Sequence, residues 1–390
     1  MEFTDDVHWI RSHLTFLSDA EREEANVAIE DFPGAGGMHA LTKSVKVEVG
    51  DKVFKYVYKQ VHHSPEALER SRSLGTSREA IFYNEFAPTA TFSVPKVLCS
   101  YGNMKTGEKK VVLEDVGVTG IQSGYFFGPG SPLNWGKDLP AILARVPHEV
   151  SAKEVSLDAF REMAKMHKQY WNDSSLQELD WIRAGSWYKG EQEETWMASQ
   201  NYGKGCWEKT KAKVASGECK VEWNSQLVTL VDSSISKISW ADYQNQRKNK
   251  PFTLVHGDFH PANIMWVWSD DSRGRSTFVD WEVVGVGDGA QDLAQYTISH
   301  MHPSLRREIA KELVEAYYAD LTSGENAVKD FSLDQCWADF VAGGIERWVW
   351  LLSILTDFCP DNMVQYFHDQ VLAFMQDYGV TAESIGMPRV

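Results

Sequence analysis

Cysteine is scarce and scattered. Cys99, Cys206, Cys219, Cys336 and Cys359 are the five in 390 residues, an odd number with no pair at metal-ligand spacing. That argues against a disulfide framework and against a zinc site. The first residues, Met1-Glu2-Phe3-Thr4-Asp5-Asp6, lack the basic start and apolar run of a secretory signal. Long apolar runs are missing as well: Trp348 to Leu355 is far shorter than a membrane span and is bounded by Arg347 and Asp357. A reducing cytoplasm is the expected location. Positive charge is in short supply, with 39 Lys+Arg against 55 Asp+Glu and a formal charge of −16. Residues 1–116 carry 14 Lys+Arg against 18 Asp+Glu, or −4, which leaves −12 for the rest. Nucleic acid and anionic membrane are therefore excluded as main partners. The same balance suits a cationic small molecule, and equally suits plain solubility. No internal repeat or low-complexity tract interrupts the chain.

What is there divides in two. Residues 6–30 read as a helix, with Val7, Ile10, Leu14 and Leu17 at helical spacing. The flexible stretch Pro33-Gly34-Ala35-Gly36-Gly37 leads into a hairpin. Val45, Val47 and Val49 alternate with Lys46 and Glu48, Gly50-Asp51 turns, and Val53 to Val61 returns with Val57 and Lys59 on one face. Residues 64–86 read as a helix opened by Ser64-Pro65-Glu66. Two further strands follow at Val94 to Leu98 and Lys110 to Val116. Strand character fades from Gly117, which sets a small α/β lobe at 1–116 and a larger helical lobe at 117–390. In the second, Leu157, Phe160, Ala164, His167 and Trp171 keep one helical face. Extended segments are expected at Phe252 to His256, Ile264 to Trp268 and Thr277 to Val279, with a turn over 270–274. Helical periodicity returns over 290–300, 304–320, 337–356 and 362–378.

The chemistry concentrates in His256-Gly257-Asp258-Phe259-His260-Pro261-Ala262-Asn263 and in Asp280-Trp281-Glu282. An irregular loop turns Asp258 and Asn263, five apart, toward one point, where a regular strand would put them on opposite faces. Pairing of the strands on either side of 270–274 returns Asp280 to the mouth of that loop. One carboxylate to orient a hydroxyl, with an amide and a second carboxylate for Mg²⁺, is the minimum set for phosphoryl transfer from ATP.

H-G-D-x-x-x-x-N followed by D-W-E resembles the aminoglycoside phosphotransferase and choline- and ecdysteroid-kinase-like families of small-molecule kinases. Gly287 to Ala294 matches their G-x-x-D-L-A segment. The resemblance is most specific over 251–300. It implies an α+β, bilobal, protein-kinase-like fold, with a small β-rich N-lobe bearing one main helix and a larger helical C-lobe. It implies ATP and Mg²⁺ as cofactors and a small-molecule hydroxyl as acceptor. Residue by residue, Asp258 would be the catalytic aspartate, and Asn263 and Asp280 the metal ligands. Lys59 would hold the α- and β-phosphates and Glu79, in an E-x-x-F-Y helix, would pair with it. Lys52 and Lys55 are rivals of the first, Glu85 of the second. Leu113 to Gly117, with Glu114 and Val116, falls where the hinge offers backbone groups to adenine. His256 stands beside Asp258 as a support of the loop or as an acid–base group. Glu282 is a further metal candidate or a support for one. Asp292 is expected to cap the following helix and brace the loop, and His167 to be a core histidine. The family's glycine-rich loop is absent in its usual spacing; Gly34 to Gly37 is the nearest candidate, with a different spacing that leaves a phosphate role open.

Other readings stay in view. H-x-D-x-H, from His256, Asp258 and His260, also spells a hydrolytic metal site. A nucleotide-sensing pseudokinase would need the fold without the full catalytic set. Of 15 Trp only Trp9 precedes residue 117, and several fall in 170–240. Those rings, with Glu191, Glu193 and Glu194, would suit an amine or quaternary ammonium acceptor, or would simply fill a core.

Overall fold

The computed structural model describes residues 2–31, 41–248, 250–269 and 272–390. The glycine-rich candidate at Gly34 to Gly37 and the tip of the turn at 270–271 lie outside them. The chain forms two compact units, Met1–Gly120 with Thr277–Val284, and Ile121–Ser276 with Gly285–Val390.

The first unit holds helices α1 (Glu2–Ser12) and α2 (Asp19–Glu24) and strands β1 (Asn26–Asp31), β2 (Leu41–Val49) and β3 (Lys52–Gln60). Helices α3 (Pro65–Leu74) and α4 (Arg78–Glu85) and strands β4 (Val97–Gly102) and β5 (Lys109–Glu114) complete its run to Glu114. The sheet is antiparallel in the order β1-β2-β3-β5-β4. Its two faces follow from the period of 2. Val45, Val47, Val49 and Tyr58 point to one side and bury against Ile10, Leu14 and Leu17. Val57 and Lys59 point to the other.

The expected helix over 6–30 is corrected here. Ser18 opens α2 with a capping box to Glu21, and Asn26–Asp31 becomes an edge strand paired with β2. Val27 is buried and flanked by more exposed neighbours, as a strand's alternation gives, and pairing with β2 supplies the backbone hydrogen bonds that a strand cannot make within itself. The single helix expected over 64–86 is likewise two. Gly75 takes φ +71, donates its N–H to Ser71 O at 2.7 Å and ends α3. The boundary falls after Gly120, and Thr277–Val284 belongs to the first unit although the sequence reading assigned it to the second. Phe278 N donates to Ser93 O at 2.9 Å, and the Trp281 ring stacks on Phe82 with centroids 3.8 Å apart.

The second unit contains α5 (Leu139–Leu143), α6 (Ala152–Gln169), α7 (Gly185–Tyr188), α8 (Glu193–Ser216), α9 (Ser225–Ser236) and α10 (Trp240–Arg247). After them come α11 (Gly289–Ser299), α12 (Pro303–Leu321), α13 (Leu333–Phe358) and α14 (Asp361–Asp377). Its strands are short: β6 (Gly120–Gln122), β7 (Thr253–Val255), β8 (Ile264–Ser269), β9 (Ser272–Phe278) and β10 (Gly285–Gly287). Strands β7 and β10 pair antiparallel, and β6, β8 and β9 form a small sheet in that order. Every residue of α11 is buried, so it is the central post around which α6, α12, α13 and α14 pack. Among the described residues no helix is long and apolar enough to cross a membrane.

Candidate active site

In the first unit, strand β3 and helix α4 bring a lysine and a glutamate together. Lys59 Nζ donates to Glu79 Oε1 at 2.7 Å and to Asp280 Oδ1 at 3.3 Å. Glu79 is fully buried and sits in the first turn of α4. Its other oxygen accepts from Lys109 Nζ at 2.9 Å, and Lys109 reaches Glu282 at 2.5 Å. Five charges thus alternate in one chain: Asp280, Lys59, Glu79, Lys109, Glu282. Burial pulls the Lys59 ammonium down, but Asp280 and Glu79 outweigh it and hold it well above the ordinary lysine value. Burial pushes the Glu79 carboxyl up, and Lys109 and Lys59 reverse that to leave it low. Lys52, Lys55 and Glu85 are all exposed, whereas Lys59 and Glu79 are paired.

Asp280 has φ +70, a left-handed conformation rare outside glycine that Asp tolerates better than most. That turn aims its carboxylate at Lys59. Glu114 ends β5, its N–H bonded to Lys96 O at 2.9 Å, and Val116 N donates to Glu114 O at 3.0 Å.

In the second unit, β7 runs into the loop that carries Asp258. Gly257 takes φ +78, a conformation that lets the chain turn directly out of the strand. Asp292 of α11 holds this bend from within: its carboxylate accepts from His256 N at 2.7 Å and from Gly257 N at 3.1 Å. Asp292 thus braces the loop as expected. It does not cap the helix, since Asp288 occupies the N-cap position. His256 is buried and its Nδ1 accepts from Asp258 N at 3.4 Å, a loop-supporting contact. His167 is wholly buried, with Nδ1 2.9 Å from the Tyr317 hydroxyl.

Asp258 is surrounded by donors. Gln295 Nε2 donates to Oδ1 at 2.8 Å, Asn263 Nδ2 to Oδ2 at 3.0 Å, and His260 Nε2 lies 3.3 Å from Oδ2. The enclosing protein raises the carboxyl's pKa, yet His260, His256 and Arg347 overcome this and hold it far below the ordinary aspartate range. An anion so well solvated by fixed donors orients a hydroxyl better than it removes a proton. Asn263 Nδ2 also donates to Asp258 O at 3.0 Å. With its nitrogen committed twice to Asp258, the amide has its oxygen left to offer.

Hard oxygen ligands are what Mg²⁺ takes, and the Asn263 amide oxygen and Asp280 carboxylate fit that chemistry. Among the described residues, the one trio of carboxylate or imidazole groups close enough to share an ion is Glu79, Asp280 and Glu282. His256, Asp258 and His260 form no such group, against the hydrolytic reading. The tryptophans favour the core: Trp181, Trp187, Trp196 and Trp207 are buried, whereas Glu191, Glu193 and Glu194 are exposed.

Comparison with known proteins agrees. Residues 36–327 match the phosphotransferase enzyme family, APH. The chain belongs to that family. Within it, viomycin phosphotransferase of Streptomyces vinaceus is 40% identical over 57 residues, 15% of this chain and 20% of that enzyme. The choline kinase of Cryptosporidium parvum Iowa II superposes with a TM-score of 0.53 at 8% identity, over 97% of this chain and 95% of its own. That likeness establishes the α+β, protein-kinase-like fold. The choline kinase LicA of Streptococcus pneumoniae is 11% identical over 93% of this chain and 99% of its own, with a TM-score of 0.47.

Three residues of the site escaped the sequence reading. Gln295 lies three positions after Asp292, hence on the same helical face, and that spacing was the available signal. Lys109 precedes the strand expected from Lys110, and its period-2 relation to Val111, the partner of Lys59, was the clue. Arg347, whose Nη2 donates to Gly257 O at 3.1 Å, has no local signal at all.

Proposed function

We propose that this protein transfers the γ-phosphoryl group of ATP to a hydroxyl of a small molecule. The carrying observation is the Asp258 carboxylate, clamped by Gln295 and Asn263 in a loop braced by Asp292. In this reading Asp258 points the acceptor hydroxyl at the γ-phosphorus, and Lys59, held by Glu79, binds the α- and β-phosphates. Asn263 and Asp280 would hold Mg²⁺, which supplies neutralisation of the charge on the β- and γ-oxygens. Its chemistry is positioning and charge neutralisation, with little demand on a strong base. Glu114 and Val116 would meet adenine, and the Val116 N–H must leave Glu114 O to do so. The relatives are named for choline and for viomycin, and the first is a quaternary ammonium alcohol. A cationic acceptor also agrees with the −16 formal charge. The cytoplasm, where ATP is abundant, is the location this reading requires.

The test is a screen of amino-alcohol, aminoglycoside and peptide-antibiotic acceptors with γ-labelled ATP, with mass spectrometry of the product. A phosphomonoester on a hydroxyl, lost in Asp258→Asn, is expected. Labelled inorganic phosphate alone across the panel would reject the assignment. Nucleotide binding with no turnover would favour a regulatory pseudokinase.

A further inference from the structure

Lys109 has no place in the roles given so far, yet it is among the most deeply buried charges in the protein. Its side chain is 0% exposed, and it touches two carboxylates, Glu79 at 2.9 Å and Glu282 at 2.5 Å. A lysine is sequestered this completely only when its charge is matched.

The surroundings say what that matching accomplishes. Glu79 divides its two oxygens between Lys59 and Lys109. Asp280 and Glu282 flank Trp281, and each is held by one of those two lysines. Trp281 stacks on Phe82, one turn beyond Glu79 in α4. The D-W-E segment is thereby tied to α4 directly by Trp281, and through Lys59 of β3 and Lys109 of β5 at Asp280 and Glu282. Take Lys109 away and Glu79 keeps one oxygen unpaired, close to a second unbalanced carboxylate at Glu282. Repulsion between them would turn Glu79 from Lys59 and swing the Asp280 segment outward.

We infer that Lys109 is a positioning residue which couples the phosphate-binding lysine to the metal-binding aspartate. It acts on Lys59 through Glu79 and on Asp280 through Glu282, so that helix α4 and the D-W-E segment are set as one piece. Lys109 itself touches no phosphate in this scheme. The inference rests on the nucleotide reading of Lys59 and Asp280, and the experiment separates the two.

The full chain is titrated with AMP-PNP by calorimetry, with Mg²⁺ and with EDTA, and the readout is the dissociation constant in EDTA divided by that in Mg²⁺. In Lys109→Met that ratio is expected to fall by about fivefold or more, the scale of losing charge-assisted contacts. A merely structural lysine would lower the melting temperature and weaken both affinities alike, leaving the ratio unchanged. A ratio within about twofold of wild type therefore overturns the inference, as does any fall short of the expected one. If the wild-type chain fails to bind Mg·AMP-PNP at all, the nucleotide reading itself falls. Should Lys109→Met not fold, a crystal structure of the wild-type chain with Mg·AMP-PNP decides. Lys109 within hydrogen-bond reach of both Glu79 and Glu282 is expected there, and Lys109 parted from either refutes the coupling.

Discussion

Lys59 and Asp280, 221 positions apart in the chain, meet with Nζ and Oδ1 3.3 Å from each other. Asp280 reaches the lysine by a left-handed turn at φ +70. The phosphate-binding candidate and the metal-binding candidate are therefore one electrostatic group, and each should report on the other.

Lys59→Met removes a charge-assisted bond of about 1.5–3 kcal/mol. The nucleotide KM is expected to rise about tenfold or more, with the acceptor KM little changed. Lys55→Met, four residues earlier and exposed, should leave both constants alone. Steady-state kinetics on the two variants compares them directly, and the reverse pattern would move the role to Lys55.

Asp280→Ala should abolish the gain in nucleotide affinity that Mg²⁺ brings, while leaving metal-free binding measurable. Calorimetric titrations with and without Mg²⁺ check it. An unchanged gain would strip Asp280 of its metal role.

At the other carboxylate, Asp258→Asn is expected to cut kcat by about 100-fold or more with nucleotide affinity retained. Gln295→Leu deletes one donor, 2.8 Å from Asp258, and should lower kcat by about tenfold. Full turnover in the second variant would mean that Asp258 is oriented without it.

Asp288 joins Arg247 and Arg389 in a buried network, with Arg389 shared by Glu346 at 2.6 Å. Burial raises the Asp288 carboxyl, but the two guanidinium groups pull it far below its ordinary range. Asp288→Asn leaves Arg247 buried without its carboxylate and should cost about 3 kcal/mol of stability, read from urea unfolding. A loss under about 1 kcal/mol would show the arginines repartnered.

His300 carries the pH prediction. Burial, then the nearby His260, hold its pKa well below the usual histidine value, against a smaller opposing pull from Asp258. The unfolded chain titrates near about 6.5. Below that pH the unfolded state binds a proton that the folded state refuses, so stability falls as pH drops. His300→Gln should lose less stability than wild type between pH 7.5 and 5.5, measured by thermal melts. Parallel losses would mean that His300 protonates within the fold.

Short-range spacing carries its own geometry: alternation in Val45, Val47 and Val49 dictates a strand face, and the irregular loop from Asp258 to Asn263 lets both side chains turn together. The β-rich first part, the helical remainder and the chemical types present follow from that local information, and the family and its α+β fold are what the resemblance of the motifs implied. Tertiary structure decided what depends on distant partners. Asn26–Asp31 became a strand because β2 offered an edge. Glu79, and not Glu85, meets Lys59 because its side of α4 is the buried one. Lys109 joined the Glu79 cluster of the first unit, and Gln295 and Arg347 the Asp258 loop of the second, through contacts 30 to 173 positions apart in sequence. A buried charge is tolerated only where a partner meets it, and which residues meet is a property of the packed chain rather than of any segment within it.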